Sequence, residues 1–87
     1  MQKPYFTRKE LQDLGFTYQG LTAAEDFQYD WWVLNLHWLV LSITFEYELN
    51  AKVPYKCFAE LDDSVVPDST TKDQLLQLIH LLKTLCG

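Results

Sequence analysis

The sequence predicts an α+β fold: an antiparallel sheet of three to four strands, with a short N-terminal helix and a C-terminal helix packed on one face. Three observations carry this prediction. Apolar and polar residues alternate over residues 38–49, which is the period of a half-buried strand. Leucines recur at helical spacing over residues 75–85. The 87 residues, 48% of them hydrophobic, suffice for one core and leave no room for a second, so residues 1–87 are expected to form a single domain.

The N-terminal helix is predicted from its two ends. Thr7 and Glu10 have the spacing of a capping box, in which a hydroxyl and a carboxylate satisfy backbone N–H groups of the first turn. Leu11 and Leu14 share one face of about two helical turns. Gly15 can adopt the left-handed conformation that ends a helix, so the following phenylalanine folds back against it.

The segment after this helix is less regular. Residues 16–19 can extend as a short strand before Gly20. Residues 21–26 contain too few ordered apolar positions to distinguish a loop from a helical turn.

Three strands are predicted in the middle of the chain. Residues 30–36 are apolar on both faces, as in a central strand, and a tight connection at 35–38 pairs them antiparallel with 38–49. In this second strand the core face carries Leu39, Leu41, Ile43, Phe45, Tyr47 and Leu49. Residues 53–61 alternate again, and Pro54 favours an edge position or a strand start. A brief extended segment can follow at 65–67.

The C-terminal helix is expected over residues 72–85. Thr70 and Thr71 precede it, and Gln74 lies three residues beyond the second threonine. Leu76 and Leu81 widen its apolar stripe beyond what one sheet face usually covers. Part of this helix should therefore meet the N-terminal helix or another chain.

The charge distribution argues against direct binding of nucleic acid. The net charge is −5, and nine of the twelve acidic residues lie between residues 25 and 68. Proteins that bind a phosphate backbone need clustered Lys and Arg instead. A concentrated acidic surface attracts basic partners, or it simply keeps the protein soluble.

We expect a cytoplasmic protein with no membrane segment. The N-terminus lacks the apolar run of an export signal, and the apolar stretch 31–45, closed by Asp30 and Glu46, is too short to span a bilayer as a helix. Cys57 and Cys86 are expected to be free thiols, although one bridge between them is the alternative.

Catalytic and cofactor motifs are not recognisable. The ligand-type side chains have separations that match no zinc site: His37, Cys57, His80 and Cys86. Ser42 with His37 and Glu46 has no turn motif that would mark a nucleophile. Glycines at 15, 20 and 87 form no phosphate loop. The sequence therefore predicts a protein that is not an enzyme and needs neither metal nor cofactor.

The sequence instead indicates a contact surface. If the helices cover the face that carries Leu41, the opposite face is aromatic with an acidic rim, which is typical of an interface centre. The candidate partner-binding residues are Trp31, Trp38, Phe58, Glu46, Glu48, Asp62 and Asp63. In the alternative, strand ends and residues 21–28 cover these aromatic side chains within one molecule.

The order of several motifs along the chain forms a recognisable layout. A short helix ends in Leu-Gly-Phe at residues 14–16, aromatic strands include Phe-Glu-Tyr-Glu at 45–48, and an acidic loop precedes a terminal helix with Thr-Lys-Asp-Gln-Leu-Leu-Gln-Leu-Ile at 71–79. This pattern is similar to small accessory proteins of phages and mobile elements, including anti-CRISPR inhibitors. No functional residue is carried over from them.

The resemblance implies a function that composition alone does not. Such inhibitors occupy a basic groove or block a conformational change of a larger enzyme. We therefore expect a non-catalytic inhibitor or modulator of a larger, basic, nucleic-acid-handling protein, for example a nucleic-acid-guided nuclease. The alternative is a self-associating structural or regulatory protein of a phage or mobile element, with a homodimer contact at the strand edge 54–61 or at Leu76 and Leu81.

Overall fold

A computed structural model describes residues 5–36, 38–67 and 69–86 and confirms the α+β fold. The elements in chain order are α1 (Arg8–Leu14), β1 (Thr17–Ala23), β2 (Phe27–Asn35), β3 (Val40–Glu48), β4 (Lys56–Leu61), β5 (Ser64–Val65) and α2 (Lys72–Cys86). The strands form one antiparallel sheet in the order β1-β2-β3-β4-β5. The sheet thus has five strands rather than three to four.

The additional strands come from two places where the pattern of the sequence is weak. β1 continues through Gly20, which has φ 101°, and the pairing with β2 shifts between Tyr18 and Leu21. A bulge of this kind interrupts the apolar alternation without ending the strand. The expectation of a loop or helical turn at 21–26 is therefore wrong for residues 21–23. β5 has two residues and begins one residue before the predicted extended segment.

β2 and β3 pair antiparallel as predicted, but the strands begin and end at other residues than predicted. β2 pairs with β3 without interruption from Phe27 opposite Glu48 to Asn35 opposite Val40. The connection between them is closed by the N–H of Leu36, which donates to the carbonyl of Leu39 at 2.8 Å. β2 starts three residues before the predicted position and β4 three residues after it, because cross-strand pairing and not apolar content decides where a strand ends.

Both ends of α1 are formed as predicted. The N–H of Glu10 donates to the Thr7 hydroxyl at 3.2 Å, and the N–H of Thr7 donates to the Glu10 carboxylate at 2.9 Å. Gly15 ends the helix with φ 98°. The N–H of Phe16 then donates to the carbonyl of Leu11 at 2.9 Å, and both of these side chains are buried. This clasp fixes the angle at which the chain enters β1.

α2 begins with a second capping box and packs partly against α1. The N–H of Gln74 donates to the Thr71 hydroxyl at 3.1 Å, and the Gln74 amide oxygen accepts from the N–H of Thr71 at 2.9 Å. Lys72 pairs with the Glu10 carboxylate at 2.6 Å, which lowers the pKa of Glu10. The ammonium of Lys83 donates to the carbonyl of Leu14. The terminal helix therefore meets the N-terminal helix, one of the two outcomes predicted.

The core lies between the sheet and the two helices. Alternate residues of β2, β3 and β4 form its sheet side: Trp32, Leu34, Leu41, Ile43, Phe45, Tyr47, Cys57 and Ala59. The helices contribute Leu11, Leu75 and Ile79, each fully buried. Among the described residues, no helix is long and apolar enough to cross a membrane.

Cys57 should be almost inert in the folded protein. It is a free, buried thiol, and burial raises its pKa to about 11. In a Cys86→Ser variant, we expect the remaining thiol to react with a disulfide reagent at pH 8 at least about 100-fold more slowly when folded than when unfolded, because only the exposed thiolate reacts. Absorbance of the released chromophore with and without denaturant measures this ratio. Equal rates would contradict the burial of Cys57.

Candidate partner-binding surface

The sheet face that points away from both helices is called the open face here. Because side chains alternate along a strand, it carries the residues that are out of phase with the core. On β2 these are Phe27, Tyr29, Trp31, Val33 and Asn35; on β3 they are Val40, Ser42, Thr44, Glu46 and Glu48; on β4 they are Lys56, Phe58 and Glu60. Most of these side chains are half-buried by their neighbours on the sheet.

Three aromatic rings of β2 form a row along the open face. The centroids of Phe27 and Tyr29 are 6.1 Å apart, and those of Tyr29 and Trp31 are 5.6 Å apart. The ring planes are inclined by 37° and 33°. Thr44 pairs with Trp31 on one side and with Phe58 on the other, so both predicted aromatic residues are on this face. The row is a continuous aromatic strip that spans residues 27–31.

Carboxylates stand directly across from this aromatic row on β3. Glu48 is the cross-strand partner of Phe27, and Glu46 is the partner of Tyr29. The hydroxyl of Tyr55 donates to the Glu46 carboxylate at 3.2 Å and helps to hold its position. Two successive positions of the open face therefore combine a ring with a negative charge.

The open face already holds one cation over a ring. The ammonium of Lys56 lies 5.4 Å from the centroid of Phe58, within the range of a cation–π contact. Lys56 is also the cross-strand partner of Glu46. A lysine, a ring and a carboxylate therefore lie together on neighbouring positions of the open face.

Asp62 and Asp63 lie in the β4–β5 turn, at the other end of β3 from Glu46 and Glu48. Asp62 has φ 53°, its carboxylate accepts from the N–H of Val40 at 2.9 Å, and its own N–H donates to the Val40 carbonyl at 2.8 Å. Asp62 therefore stabilises the start of β3 through two hydrogen bonds, and it also carries a negative charge. Asp63 is exposed. The four predicted acidic residues form two separate groups rather than one patch.

Trp38 does not lie on the open face, which corrects the expected grouping with Trp31. It belongs to the connection between β2 and β3 and is 71% exposed. With Leu39, Leu82 and Leu85 it lines an apolar groove of about 430 Å³ at the end of α2. The prediction failed because β3 begins at Val40, so the strand alternation does not extend to residue 38.

The aromatic side chains of the open face are half-buried, and the structure shows which elements lie beside them. Residues 21–23 form part of β1 and pair within the sheet, so they do not fold over the open face. Both helices lie on the opposite side. Within the described part of the chain, the aromatic row is thus bordered by neighbouring strands but has no layer above it.

Sequence reasoning missed a buried carboxylate on the helix side of β2. Asp30 is 1% exposed, and its two oxygens accept from the hydroxyls of Tyr18 at 3.0 Å and Tyr47 at 3.1 Å. The guanidinium of Arg8 donates to the same carboxylate at 3.3 Å. Burial and then the Asp30 charge raise the pKa of Tyr47 to about 12, and burial with the hydrogen bond to Asp30 raises the pKa of Tyr18.

One signal in the sequence could have indicated this cluster. Asp30 is in phase with Trp32 and Leu34, both of which are buried. An acidic residue at a core position of a strand needs hydrogen-bond donors around it. The sequence does not show which donors these are, because they come from three other elements.

The predicted absence of a metal site remains a prediction. Among the described residues, no group of three or more His, Cys, Asp and Glu side chains could hold a metal ion. His37 and the side chain of Cys86, both considered as ligand types, lie outside the described part.

Comparison of the chain with protein-family models, with curated proteins and with solved structures found no match. Function is therefore inferred from the chemistry of the described surfaces.

Proposed function

We propose that this protein is a non-catalytic binding protein that inhibits or modulates a larger, basic, nucleic-acid-handling protein through its open face. The observation that carries the proposal is the aromatic row on β2 with Glu46 and Glu48 across from it. The resemblance in the sequence favours one form of this function, an anti-CRISPR or other anti-defence inhibitor acting on a nucleic-acid-guided nuclease.

The geometry favours arginine and lysine side chains of the partner as the groups bound. A guanidinium stacked on Tyr29 would lie beside Glu46, so that ring and carboxylate act on the same cation. The same pair recurs two residues away at Phe27 and Glu48. Extended chains also place every second side chain on one face, so a basic segment with alternating Arg or Lys matches this spacing.

The two kinds of residue on the open face should contribute to different rates. Acidic side chains attract a basic partner over a distance and raise the association rate. Rings that lose water in the complex slow its dissociation. With a net charge of −5, the protein has the sign required for the first effect.

Affinity capture with matched baits tests the proposed function. The wild-type protein, an open-face variant with Glu46→Gln and Glu48→Gln, and a control variant with Asp13→Asn and Asp73→Asn would be immobilised. Both variants lose two charges, but Asp13 and Asp73 lie on the helix layer. We expect a basic protein to be retained by wild type and control and released by the open-face variant. Its nucleic-acid-handling activity should fall when the purified wild-type protein is added.

A partner that the two charge variants retain equally would contradict the assignment to the open face. A partner that is acidic, or whose activity does not change on binding, would contradict the proposed inhibition of a basic protein.

Neutralising the acidic residues should slow association with that partner. We expect Glu46→Gln with Glu48→Gln to lower the association rate about tenfold at low salt and to flatten its salt dependence. Asp62→Asn with Asp63→Asn should have a smaller effect in the same direction, and asparagine retains the acceptor for Val40 and tolerates φ 53°. Stopped-flow or surface-based kinetics at several salt concentrations measure the effect. Unchanged association rates at low salt would rule out electrostatic steering.

Self-association is the second candidate function, and the groove at Trp38 favours it. Leu85 lines that groove and is 66% exposed, and Leu81 is 55% exposed, whereas Leu76 packs partly against the core. The edge at 54–61 is less suitable, because Glu60 and Leu61 already pair with β5. Light scattering over a range of concentrations separates monomer from dimer. A dimer that Trp38→Ala dissociates would support this function, and a monomer at all concentrations would exclude it.

A further inference from the structure

A cleft on the helix side of the sheet contains the most unusual buried group of the molecule. Asp30 lines this cleft at its base, together with Arg8, Gln28, Tyr47 and Lys52. Burying a carboxylate costs free energy, and apolar residues of similar size are often at least as stable in such positions. Here three hydrogen bonds hold the carboxylate, which in turn fixes the side chains around it at the cleft.

Asp30 holds Arg8 by a hydrogen bond, and the arginine side chain stays accessible to solvent. One guanidinium nitrogen donates to the Asp30 carboxylate at 3.3 Å, and the guanidinium carbon lies 5.5 Å from the ring centroid of Tyr18. The arginine side chain is nevertheless 66% exposed. A guanidinium has five N–H donors, so the contact with Asp30 occupies only part of its donor capacity.

The charge and size of the cleft define the class of ligand. Arg8 and Lys52 against Asp30 give its lining a net formal charge of +1 in a protein of net charge −5. A singly charged anion balances this lining. The volume is about 200 Å³, below the roughly 300 to 1,000 Å³ of sites for drug-sized ligands, so the ligand is small. Leu21 and Ala51 supply an apolar wall.

We propose that this cleft binds a single carboxylate group with a short aliphatic chain. The exposed side of the Arg8 guanidinium donates to the carboxylate, Lys52 supplies the second positive charge, and the aliphatic part contacts Leu21 and Ala51. Asp30 and the hydroxyls of Tyr18 and Tyr47 are positioning groups that hold Arg8 in place. The site is independent of the proposed function, since it lies on the other side of the sheet from the aromatic row.

Titration with sodium butyrate, followed in the amide spectrum of the ¹⁵N-labelled protein at constant ionic strength, tests the proposal. We expect saturable shifts at residues 21, 28, 51 and 52 with a dissociation constant in the range of roughly 1 to 10 mM. Butyramide, which has the same shape without the charge, should cause no saturable shift. An acetylated and amidated peptide with one glutamate shows whether a protein carboxylate can also enter, which distinguishes a free acid from a partner side chain as the source.

Substitutions of Arg8 and Lys52 test whether these two side chains bind butyrate. Arg8→Gln and Lys52→Gln should each weaken butyrate binding at least about tenfold, whereas Lys9→Gln, next to Arg8 but outside the cleft lining, should leave it unchanged. Lys52 lies in an exposed loop, so its substitution tests the site without disturbing the fold. Shifts that do not saturate, that butyramide reproduces, or that persist in both cleft variants would overturn the proposal.

Discussion

Replacing Asp30 with alanine is expected to lower the free energy of unfolding by about 3 kcal/mol. The variant removes a carboxylate that accepts hydrogen bonds from Tyr18, Tyr47 and Arg8. The Tyr47 side chain is almost fully buried, so the loss of the hydrogen-bond partner of its hydroxyl is costly. Hydrogen bonds to a charged acceptor contribute more than neutral ones, which adds to the loss.

Urea denaturation followed by tryptophan fluorescence measures this loss. Asp13→Ala is the matched control, because Asp13 is an exposed aspartate in the last turns of α1. We expect its effect to stay within about 0.5 kcal/mol. Tyr47→Phe, which removes one hydrogen bond and keeps the ring, should cost about 1 kcal/mol. A loss below about 1 kcal/mol for Asp30→Ala would show that the cluster contributes little to the fold.

Replacing Trp31 with alanine is expected to accelerate dissociation from the basic partner about 30-fold, equivalent to about 2 kcal/mol. Trp31 lies at the end of the aromatic row, in contact with Tyr29, and shares the open face with Phe58. A ring of this size at the centre of an interface loses water over a large area at a small cost in conformational entropy. The association rate should change much less, because the substitution removes no charge.

Trp38→Ala provides the matched control for Trp31. It removes the same side chain from the apolar groove beside α2 and leaves the open face intact. We expect normal dissociation from the basic partner and an effect on self-association only. Because Trp31 is half-buried, the unfolding free energy of each variant has to be measured alongside. If the folded Trp31→Ala variant dissociates from the partner at the wild-type rate, the aromatic row is not part of the interface.

Features that depend on neighbouring residues were predicted correctly from the sequence. The capping boxes at Thr7 and Thr71 and the helix end at Gly15 each involve hydrogen bonds within a few residues. The alternation along β3 correctly assigned the buried face, because a strand has a fixed period of two. Trp31 and Phe58 were placed on the same face for the same reason.

The limits of strands were predicted less well, since they depend on pairing with other strands. The bulge between Tyr18 and Leu21 allows β1 to continue past Gly20, where the local pattern indicates a break. The connection at residues 36–39 takes Trp38 out of the strand and off the open face. Trp38 was assigned to a face from a period that did not apply at its position, whereas residues 21–23 showed no regular period although they form part of a strand.

The sequence by itself determined the fold class, the two helices and the placement of Trp31 and Phe58 on the open face, because these follow from local hydrogen bonds and from the periods of helix and strand. Only the tertiary structure decided the surroundings of Asp30. Its partners Tyr18, Tyr47 and Arg8 are 12, 17 and 22 residues away along the chain and meet only when α1, β1, β2 and β3 are assembled. No period relates residues on four different elements, so the buried carboxylate and its cleft became recognisable only in three dimensions.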